Sequence, residues 1–306
     1  MMRPPFPTVL DSSLMSCFKA CPQKFYREYM QHWKPAHESV HLVAGAAFAA
    51  GLEAGRIAFF EKNADPERAL ELAVEACIKS YGNYECPPDS PKSLVRMLGA
   101  LEFYFDQYPL DKEHATPVLF GSGRRGIEFN FAVPTDLINP ETGEPVLYCG
   151  RLDQIVDFSG MVFGEDDKTT GQLGASWPRK WDMRYQFSGY AWGCREAGHP
   201  LSGFLVRGVS ILKRSYETLE AITYRPEWEV DRWYAQFLRD GQRMVECWKS
   251  GFWDYDMNDA CTAYGGCMFV KICKNRDPEP WLQTSFQRRE WNPLTRVERV
   301  LDANDV

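Results

Sequence analysis

The stretch "LYCGRLDQIVDFSGMVFGEDDKTTG", residues 147–171, decides the expected fold, because it contains two β-rich segments joined by the turn "FSG". Alternation along the second segment places Asp166 and Lys168 on one face of a strand and Asp167 on the other. If the two segments pair as antiparallel strands, Asp153 lies close to Asp166. The stretch therefore predicts a β-hairpin that gathers two carboxylates and one ammonium group.

The segments around this hairpin extend it into a larger α/β arrangement. A third β-rich segment, "RRGIEFNFAV", precedes it and completes a predicted three-strand meander. Apolar residues at three-to-four spacing predict helices over 13–30, 40–60, 65–82, 93–108, 181–198 and 225–251. Two further strands are predicted over 202–213 and 216–224. This order favours an α/β core with added helical material and a cysteine-bearing tail.

Composition and charge narrow the classes of function. The chain has 306 residues, is 44% hydrophobic and carries a formal net charge of −7, which argues against a protein that coats nucleic acid. Any nucleic-acid contact is expected to be local or assisted by divalent cations. No apolar run approaches the roughly 18 residues of a membrane span, and "MMRPPFPTVL" lacks the apolar stretch of a secretory signal. We therefore expect a cytoplasmic protein.

The predicted hairpin can be interpreted as a metal-dependent catalytic site or simply as a charged hairpin end. Two carboxylates can hold Mg²⁺ or Mn²⁺ for phosphodiester hydrolysis, and a lysine can orient water or neutralise the transition state. The alternative is a charged hairpin end, which accounts for most isolated D-x-K matches. Glu165 is expected to be solvated, and Thr169 and Thr170 fit a turn.

The following helix supports the chemical interpretation. In "QFSGY", Gln186 and Tyr190 lie one helical turn apart on one face. Asp153 in a G-R-x-D context, Asp166-x-Lys168 followed by two threonines, and Gln-x-x-x-Tyr together resemble the RecB-like branch of the PD-(D/E)xK nuclease superfamily.

The resemblance implies a restriction-endonuclease-like α/β core with a mixed central sheet. It implies that Asp153 and Asp166 bind the metal, that Lys168 is catalytic, and that Gln186 and Tyr190 support the site or the DNA strand. It further implies a single nuclease domain over 1–306, with an N-terminal helical part at 13–110, a catalytic core at 120–225, and a C-terminal helix and cysteine cluster at 226–280.

One motif departs from the family pattern. Members of this branch often carry a helical G-x-x-x-H-x-x-L-E pattern whose histidine is a metal ligand, whereas this chain reads "GAAFAAGLE", with Ala49 at that place. Glu53, four residues later on the same helix face, is predicted as a ligand instead. Asp167 is a further candidate through its backbone carbonyl. Glu128 is a weaker candidate, with a solvent-facing acid as the alternative.

Four of the ten cysteines form a second pattern. Cys261, Cys267 and Cys273 are spaced with five residues between neighbours, and Cys21 lies far upstream in a Cys-Pro context. This order resembles the iron–sulfur staple of AddB-type and CRISPR-associated RecB-like nucleases, which implies that the four hold a [4Fe–4S] cluster. A structural Zn²⁺ is the alternative, although its usual signature of two short C-x₂₋₄-C knuckles is missing. Cys17 is a spare candidate.

The segment "SWPRKWDMRYQ", just before Gln186, mixes aromatic and cationic residues. Its aromatic rings could stack on bases while its cations meet phosphates, or its tryptophans could enter the core. The resemblance implies a DNA exonuclease acting on single-stranded or frayed ends in recombination, repair or phage replication, with no membrane partner. The alternatives are a catalytically weak DNA-binding protein of the same fold and a zinc-stabilised interaction module.

Overall fold

The computed structural model describes residues 3–257, 259–263, 266–295 and 297–301. The chain divides into two compact units. The first unit comprises the described residues within Met1–His37, Phe131–Gly150 and Glu227–Val306, and the second comprises Glu38–Asn130 and Arg151–Pro226.

A mixed β-sheet forms the centre of the second unit. Its strands are β3 (Ala115–Pro117), β4 (Ile127–Ile138), β5 (Pro145–Phe158), β6 (Met161–Thr170), β7 (Gly203–Ile211) and β8 (Tyr216–Tyr224), of which β4 and β5 also run into the first unit. β5 pairs with β4, and it pairs antiparallel with β3 and β6. β6 pairs parallel with β7, which pairs antiparallel with β8. The predicted meander and mixed α/β sheet are confirmed.

Helices cover this sheet because its inner strand β7 is buried on both faces. All nine residues of β7, "GFLVRGVSI", are buried, as expected of a strand with a layer on each side. The helices of the unit are α3 (Val40–Phe60), α4 (Pro66–Tyr81), α5 (Leu94–Gln107) and α6 (Tyr185–Glu196). α6 provides the crossover between the parallel strands β6 and β7. Side chains of α3 and α5, including Phe48 and Leu101, form a core with Val209 and Ile211 of β7.

The helix α3 is, by length and composition alone, apolar enough to cross a membrane. The expectation that no run approaches that length is therefore wrong for this segment. Ala44, Phe48 and Leu52 of α3 are buried in a core shared with α4 and α5, and Arg56 is almost fully buried in ion pairs. This packing is that of a core helix.

The first unit combines helices with short strands. Its helices are α1 (Ser12–Ala20), α2 (Pro22–Phe25), α7 (Glu227–Ser250), α8 (Val270–Cys273) and α9 (Glu279–Ser285), and a π-helical turn covers Tyr26–Met30. Strand β1 (Val9–Leu10) pairs parallel with β5, while β2 (Trp33–Pro35), β9 (Phe286–Asn292) and β10 (Val297–Val300) form a separate antiparallel sheet in the order β10-β9-β2. The sequence predicted only a cysteine-bearing tail where α9, β9 and β10 lie.

Close packing at Gly164 gives the first prediction. A Cβ added at Gly164 would lie 2.7 Å from Phe204 Cε1 and 2.8 Å from Leu152 Cδ2, and both side chains are fully buried. We expect Gly164→Ala to lower the free energy of unfolding by about 1–3 kcal/mol through overpacking, measured by urea denaturation. The control is Gly171→Ala, because nothing lies within 4 Å of a Cβ added there. Equal stability of both variants would contradict the packing.

Candidate active site

Asp153, Asp166 and Lys168 meet on one face of the β5–β6 hairpin. The antiparallel register sets Gln154 opposite Glu165, and therefore Asp153 beside Asp166. The Lys168 ammonium forms an ion pair with Asp166 Oδ2. The backbone N–H of Asp167 donates to Asp153 Oδ2 over 2.8 Å, which fixes the second carboxylate. The predicted proximity of these three side chains is confirmed.

The helix α6 adds two polar groups to this face. Gln186 Nε2 lies 3.4 Å from Asp166 Oδ1 and donates to the Tyr190 hydroxyl over 3.0 Å. Tyr190 is 2% exposed, so its ring also anchors α6 in the core. The structure thus brings Gln186 and Tyr190 together, as their spacing predicted, and places Gln186 beside Asp166 of the hairpin.

The charges on this face are out of balance. Burial, then the Asp166 and Asp167 carboxylates, raise the pKa of Asp153 to about 8, against the opposing effect of Lys168. Burial disfavours the Lys168 ammonium, but Asp166 and Asp153 raise its pKa overall. One ammonium is therefore too little positive charge for these carboxylates. A divalent cation held by Asp153 and Asp166 would relieve their repulsion.

The opposite face of β6 carries Glu165 and Asp167, and there both carboxylates have buried guanidinium partners. Arg56 of α3 donates to Glu165 Oε1 over 2.6 Å and to Asp167 Oδ2 over 2.7 Å. Tyr104 donates to Asp167 Oδ1 over 2.7 Å, so both oxygens of this carboxylate are engaged. Only the backbone carbonyl of Asp167 is left for a metal. Glu165 is 0% exposed, and the expectation that it is solvated is wrong because Arg56 pairs with it.

The sequence analysis did not predict this buried network of ion pairs. It continues through Arg207, whose guanidinium donates twice to Glu113 over 2.9 Å and lies 3.4 Å from Glu165 Oε2. Each arginine had a signal in the sequence: Arg56 is the one arginine of an apolar helix, and Arg207 the one charged residue of an apolar strand. A charge isolated in this way is expected to have a buried partner.

A buried lysine near the end of β6 was also missed. Lys92 is 3% exposed, and its ammonium donates to Thr169 Oγ1 over 3.3 Å. Within the described part of the chain no carboxylate forms an ion pair with it, and burial lowers its pKa. Lys92 precedes α5 directly, and nothing in its sequence context separates it from a surface lysine.

Glu53 does not join Asp153 and Asp166. It lines a groove between α3 and α4 together with Lys62 and Lys79. Arg56 is the residue of α3 that faces β6, and Glu53, three residues earlier, is turned towards α4. The described residues contain no group of three or more His, Cys, Asp or Glu side chains placed to hold a metal ion. The prediction of Glu53 as a ligand is thus corrected by its position in the fold.

Ala49 and Glu128 are two further positions that the sequence analysis named. The Ala49 side chain is exposed on α3. Glu128 is not a solvent-facing acid, because its side chain is 14% exposed and lies 2.8 Å from Arg151 Nε. Its φ of +51° is in the left-handed region, which is uncommon for a non-glycine residue.

The segment before α6 separates into core and surface residues. Trp177 and Trp181 are 3% and 8% exposed and pack edge to face, so they belong to the core and are not open to stack on bases. Arg179, Lys180 and Arg184 are exposed, whereas Tyr185 is partly buried. Of the two interpretations of this segment, the core position of the tryptophans is the correct one.

The four predicted cysteine ligands line one cavity of about 530 Å³ in the first unit. Cys21 lies between α1 and α2, Cys261 ends a 3₁₀ turn, Cys267 precedes α8, and Cys273 is the last residue of α8. The Cys267 N–H donates to the Cys261 carbonyl over 2.9 Å, which closes the loop between these two residues. All ten cysteines are free thiols. Cys17 is not among the residues that line the cavity.

Cations accompany these thiols. Lys24 and Lys274 line the same cavity. Burial disfavours the Lys24 ammonium, but Glu28, followed by Cys17, Cys267 and Cys21, raises its pKa overall. Burial raises the pKa of the Cys273 thiol, while the Arg27 guanidinium opposes this. The nearby cations would stabilise metal-bound thiolates, against the burial that disfavours the free thiolate.

No protein-family model matches the chain, and no curated protein matches it. Among solved structures, the chain is similar to a "Putative exonuclease" from Eubacterium rectale, with 11% identity, a TM-score of 0.47, and coverage of 84% of this chain and 88% of that chain. It is also similar to the structure of SSO0001, with 14% identity, a TM-score of 0.33, and coverage of 86% and 94%. These likenesses are loose, so the function has to be argued from the site's own residues.

The buried pairs of Arg56 lead to a stability prediction. In Arg56→Met, Glu165 and Asp167 would lose a buried cationic partner, and we expect a loss of about 3–5 kcal/mol in the free energy of unfolding. Thermal and urea unfolding measure this loss. Arg68→Met is the matched control, since Arg68 is exposed and pairs only with exposed glutamates; its stability should not change. A stable Arg56→Met protein would contradict the network.

Proposed function

We propose that this protein is a divalent-metal-dependent DNA nuclease of the RecB-like PD-(D/E)xK kind, an exonuclease acting on single-stranded or frayed ends. The observation that carries the proposal is the convergence of Asp153, Asp166 and Lys168 on one face of the β5–β6 hairpin, with Gln186 behind Asp166. The surplus of carboxylate over ammonium on that face supports a cation as the missing partner.

Asp153 and Asp166 would hold the Mg²⁺ or Mn²⁺ ion. Two carboxylates are enough, because Mg²⁺ in phosphoryl-transfer sites is commonly bound by one or two carboxylates, with water and substrate phosphate completing the shell. When bound, the ion supplies an activated water and stabilises charge on the phosphate. The backbone carbonyl of Asp167 remains a possible further donor, whereas its side chain is engaged by Arg56.

The chain's own residues set the geometry. Gln186 and Lys168 hold the Asp166 carboxylate from two sides, which fixes its orientation. Lys168 also keeps a positive charge next to the position of the scissile phosphate, where it can orient water or stabilise the developing charge. The Asp167 N–H holds Asp153, and Arg56 in turn holds Asp167.

DNA is the proposed substrate, and its binding has to rely on local positive charge. The formal net charge is −7, which argues against nonspecific electrostatic attraction of phosphates by the protein surface as a whole. Arg179, Lys180 and Arg184 are exposed just before α6, which carries Gln186, and they can meet the phosphate backbone there. We propose a role in recombination, repair or phage replication in the cytoplasm.

We further propose that Cys21, Cys261, Cys267 and Cys273 hold a [4Fe–4S] cluster. Four free thiols line one cavity, which fits the donor set of such a cluster. A structural Zn²⁺ usually has two short C-x₂₋₄-C knuckles, and the absence of such a pair from the sequence favours a cluster over a single Zn²⁺. The cavity joins Cys21 to residues some 240 positions later, so the ligands would contribute to folding.

The test of the nuclease is cleavage of end-labelled single- and double-stranded DNA. Anaerobically purified protein should cleave with Mg²⁺ or Mn²⁺ and not with EDTA. Asp166→Asn and Lys168→Ala should each lose on the order of a hundredfold or more in rate, since each removes a ligand or a charge that acts on the reacting phosphate.

The matched controls are Asp111→Asn and Lys112→Ala, which make the same changes at exposed positions of the second unit. They should cleave like the wild type. A wild-type protein that binds DNA but does not cleave it would overturn the nuclease and support a DNA-binding protein of the same fold, with the alanine at position 49 as the reason.

Replacement of the cysteines tests the cluster. Cys21→Ala and Cys267→Ala should lose visible absorbance, iron and acid-labile sulfide, and much soluble protein, because both would lose a folding ligand. Cys247→Ala is the control, since this buried cysteine of the first unit does not line the cavity and should retain the colour. A colourless wild type with stoichiometric zinc would establish the structural Zn²⁺ instead.

A further inference from the structure

A second cavity of the second unit, of about 400 Å³, lies between residues 120–130 and His199. Three rings form its aromatic wall. The ring centroids of Phe120 and Phe129 are 5.5 Å apart, and that of His199 lies 4.7 Å from Phe120 and 5.1 Å from Phe129. All three rings are only partly buried. They therefore present an aromatic surface to the cavity.

The charge lining this cavity favours an anion. Arg124 is exposed at its edge, and no carboxylate of the described residues forms an ion pair with it. Arg125 is held in place by donating to the Pro117 carbonyl over 3.1 Å. Glu128 is the one acidic residue that lines the cavity among the described residues, and Arg151 neutralises it over 2.8 Å. The lining is thus aromatic and cationic.

Backbone hydrogen bonds attach this cavity to the strand that carries Asp153. The Ile155 N–H donates to the Gly126 carbonyl over 2.6 Å, and the Val118 N–H donates to the Ile155 carbonyl over 2.9 Å. These contacts lie two residues after Asp153 on β5, and the pair between Glu128 and Arg151 lies two residues before it. The chain segment that lines the cavity is therefore attached to β5 at residues 151 and 155, on either side of Asp153.

Glu128, which lines the cavity, has an unusual backbone conformation. Its φ of +51° lies in the left-handed region. Arg151 forms an ion pair with the Glu128 side chain, and the Asn130 amide donates to the Glu128 carbonyl over 2.8 Å. Strain of this kind in a non-glycine residue occurs most often where a binding or catalytic geometry has to be kept.

We propose that this cavity binds one nucleobase of a single-stranded DNA substrate, stacked on Phe120, with the adjoining phosphate at Arg124. The inference rests on the proposed function and adds to it a base-binding position next to Asp153. Stacking on an aromatic ring and a nearby cation are the two contacts that single-strand binding proteins combine, and stacking is tolerant of sequence. The preference for single strands follows, because a base paired in a duplex cannot enter the cavity.

The experiment measures binding of fluorescein-labelled oligothymidylate by anisotropy, in EDTA so that no cleavage occurs. A single abasic site is moved stepwise along the strand. Wild type should lose about tenfold in affinity when the abasic site occupies one position, as expected for one lost stacking contact. Phe120→Ala should lose about as much with the intact strand, and the abasic site should then cost nothing further. Arg124→Ala should weaken binding and reduce the salt dependence by about one phosphate contact.

The controls are Phe103→Ala and Arg214→Ala, which remove a partly buried ring and an exposed cation of the same unit outside the cavity. Both should bind like the wild type. The abasic scan on wild type needs no variant, so it decides the inference even if Phe120→Ala fails to fold. A flat scan, or an abasic penalty that persists in full in Phe120→Ala, overturns it.

The cleavage assay separates this inference from the proposed function. Metal-dependent cleavage together with a flat abasic scan leaves the nuclease intact and removes only the base-binding cavity. A position-specific abasic penalty without any cleavage by the wild type keeps the cavity as a DNA-binding site and removes the nuclease.

Discussion

The buried ion pairs of Arg56 are the constraint on which the second unit depends. Its guanidinium is 4% exposed and reaches Glu165 and Asp167, which are 0% and 3% exposed. An unpaired carboxylate at such depth would cost several kcal/mol. Strand β6 can therefore occupy the centre of the sheet only if α3 supplies a cation at this point. The ion pairs fix both the register of β6 against α3 and the face that each acidic side chain takes.

This constraint separates two kinds of charge along one short strand. Glu165 and Asp167 both pair with Arg56, and Arg207 lies 3.4 Å from Glu165, so two guanidinium groups serve these carboxylates. Asp166 faces the other way and shares a single ammonium with Asp153, and burial together with the Asp166 carboxylate raises the pKa of Asp153 there. A bound divalent cation would offset the repulsion between Asp153 and Asp166, which supports the metal site proposed on this face.

Much of the second unit could be predicted from sequence because its signals are local. Strand alternation placed Asp166 and Lys168 on one face, and helical spacing joined Gln186 to Tyr190. The partners of Arg56 could not be predicted, because residues 56 and 165 come together only through packing of α3 on the sheet. The prediction of Glu53 as a metal ligand is wrong for the same reason. Sharing a helix face with position 49 does not determine which neighbouring element that face contacts.

Position 49 of α3 carries an alanine, but α3 contributes to the candidate site through Arg56. A histidine there would add one ligand to the cation, but it would not hold β6 in place. Arg56 holds Asp167, whose N–H holds Asp153, so the helix acts on the carboxylates through the strand and without a ligand of its own. With Asp153 and Asp166 as carboxylate ligands, more of the cation's shell is left to water and substrate phosphate. In the proposed site, the alanine at position 49 would supply one ligand fewer to the metal, while the interactions that position Asp153 and Asp167 are present.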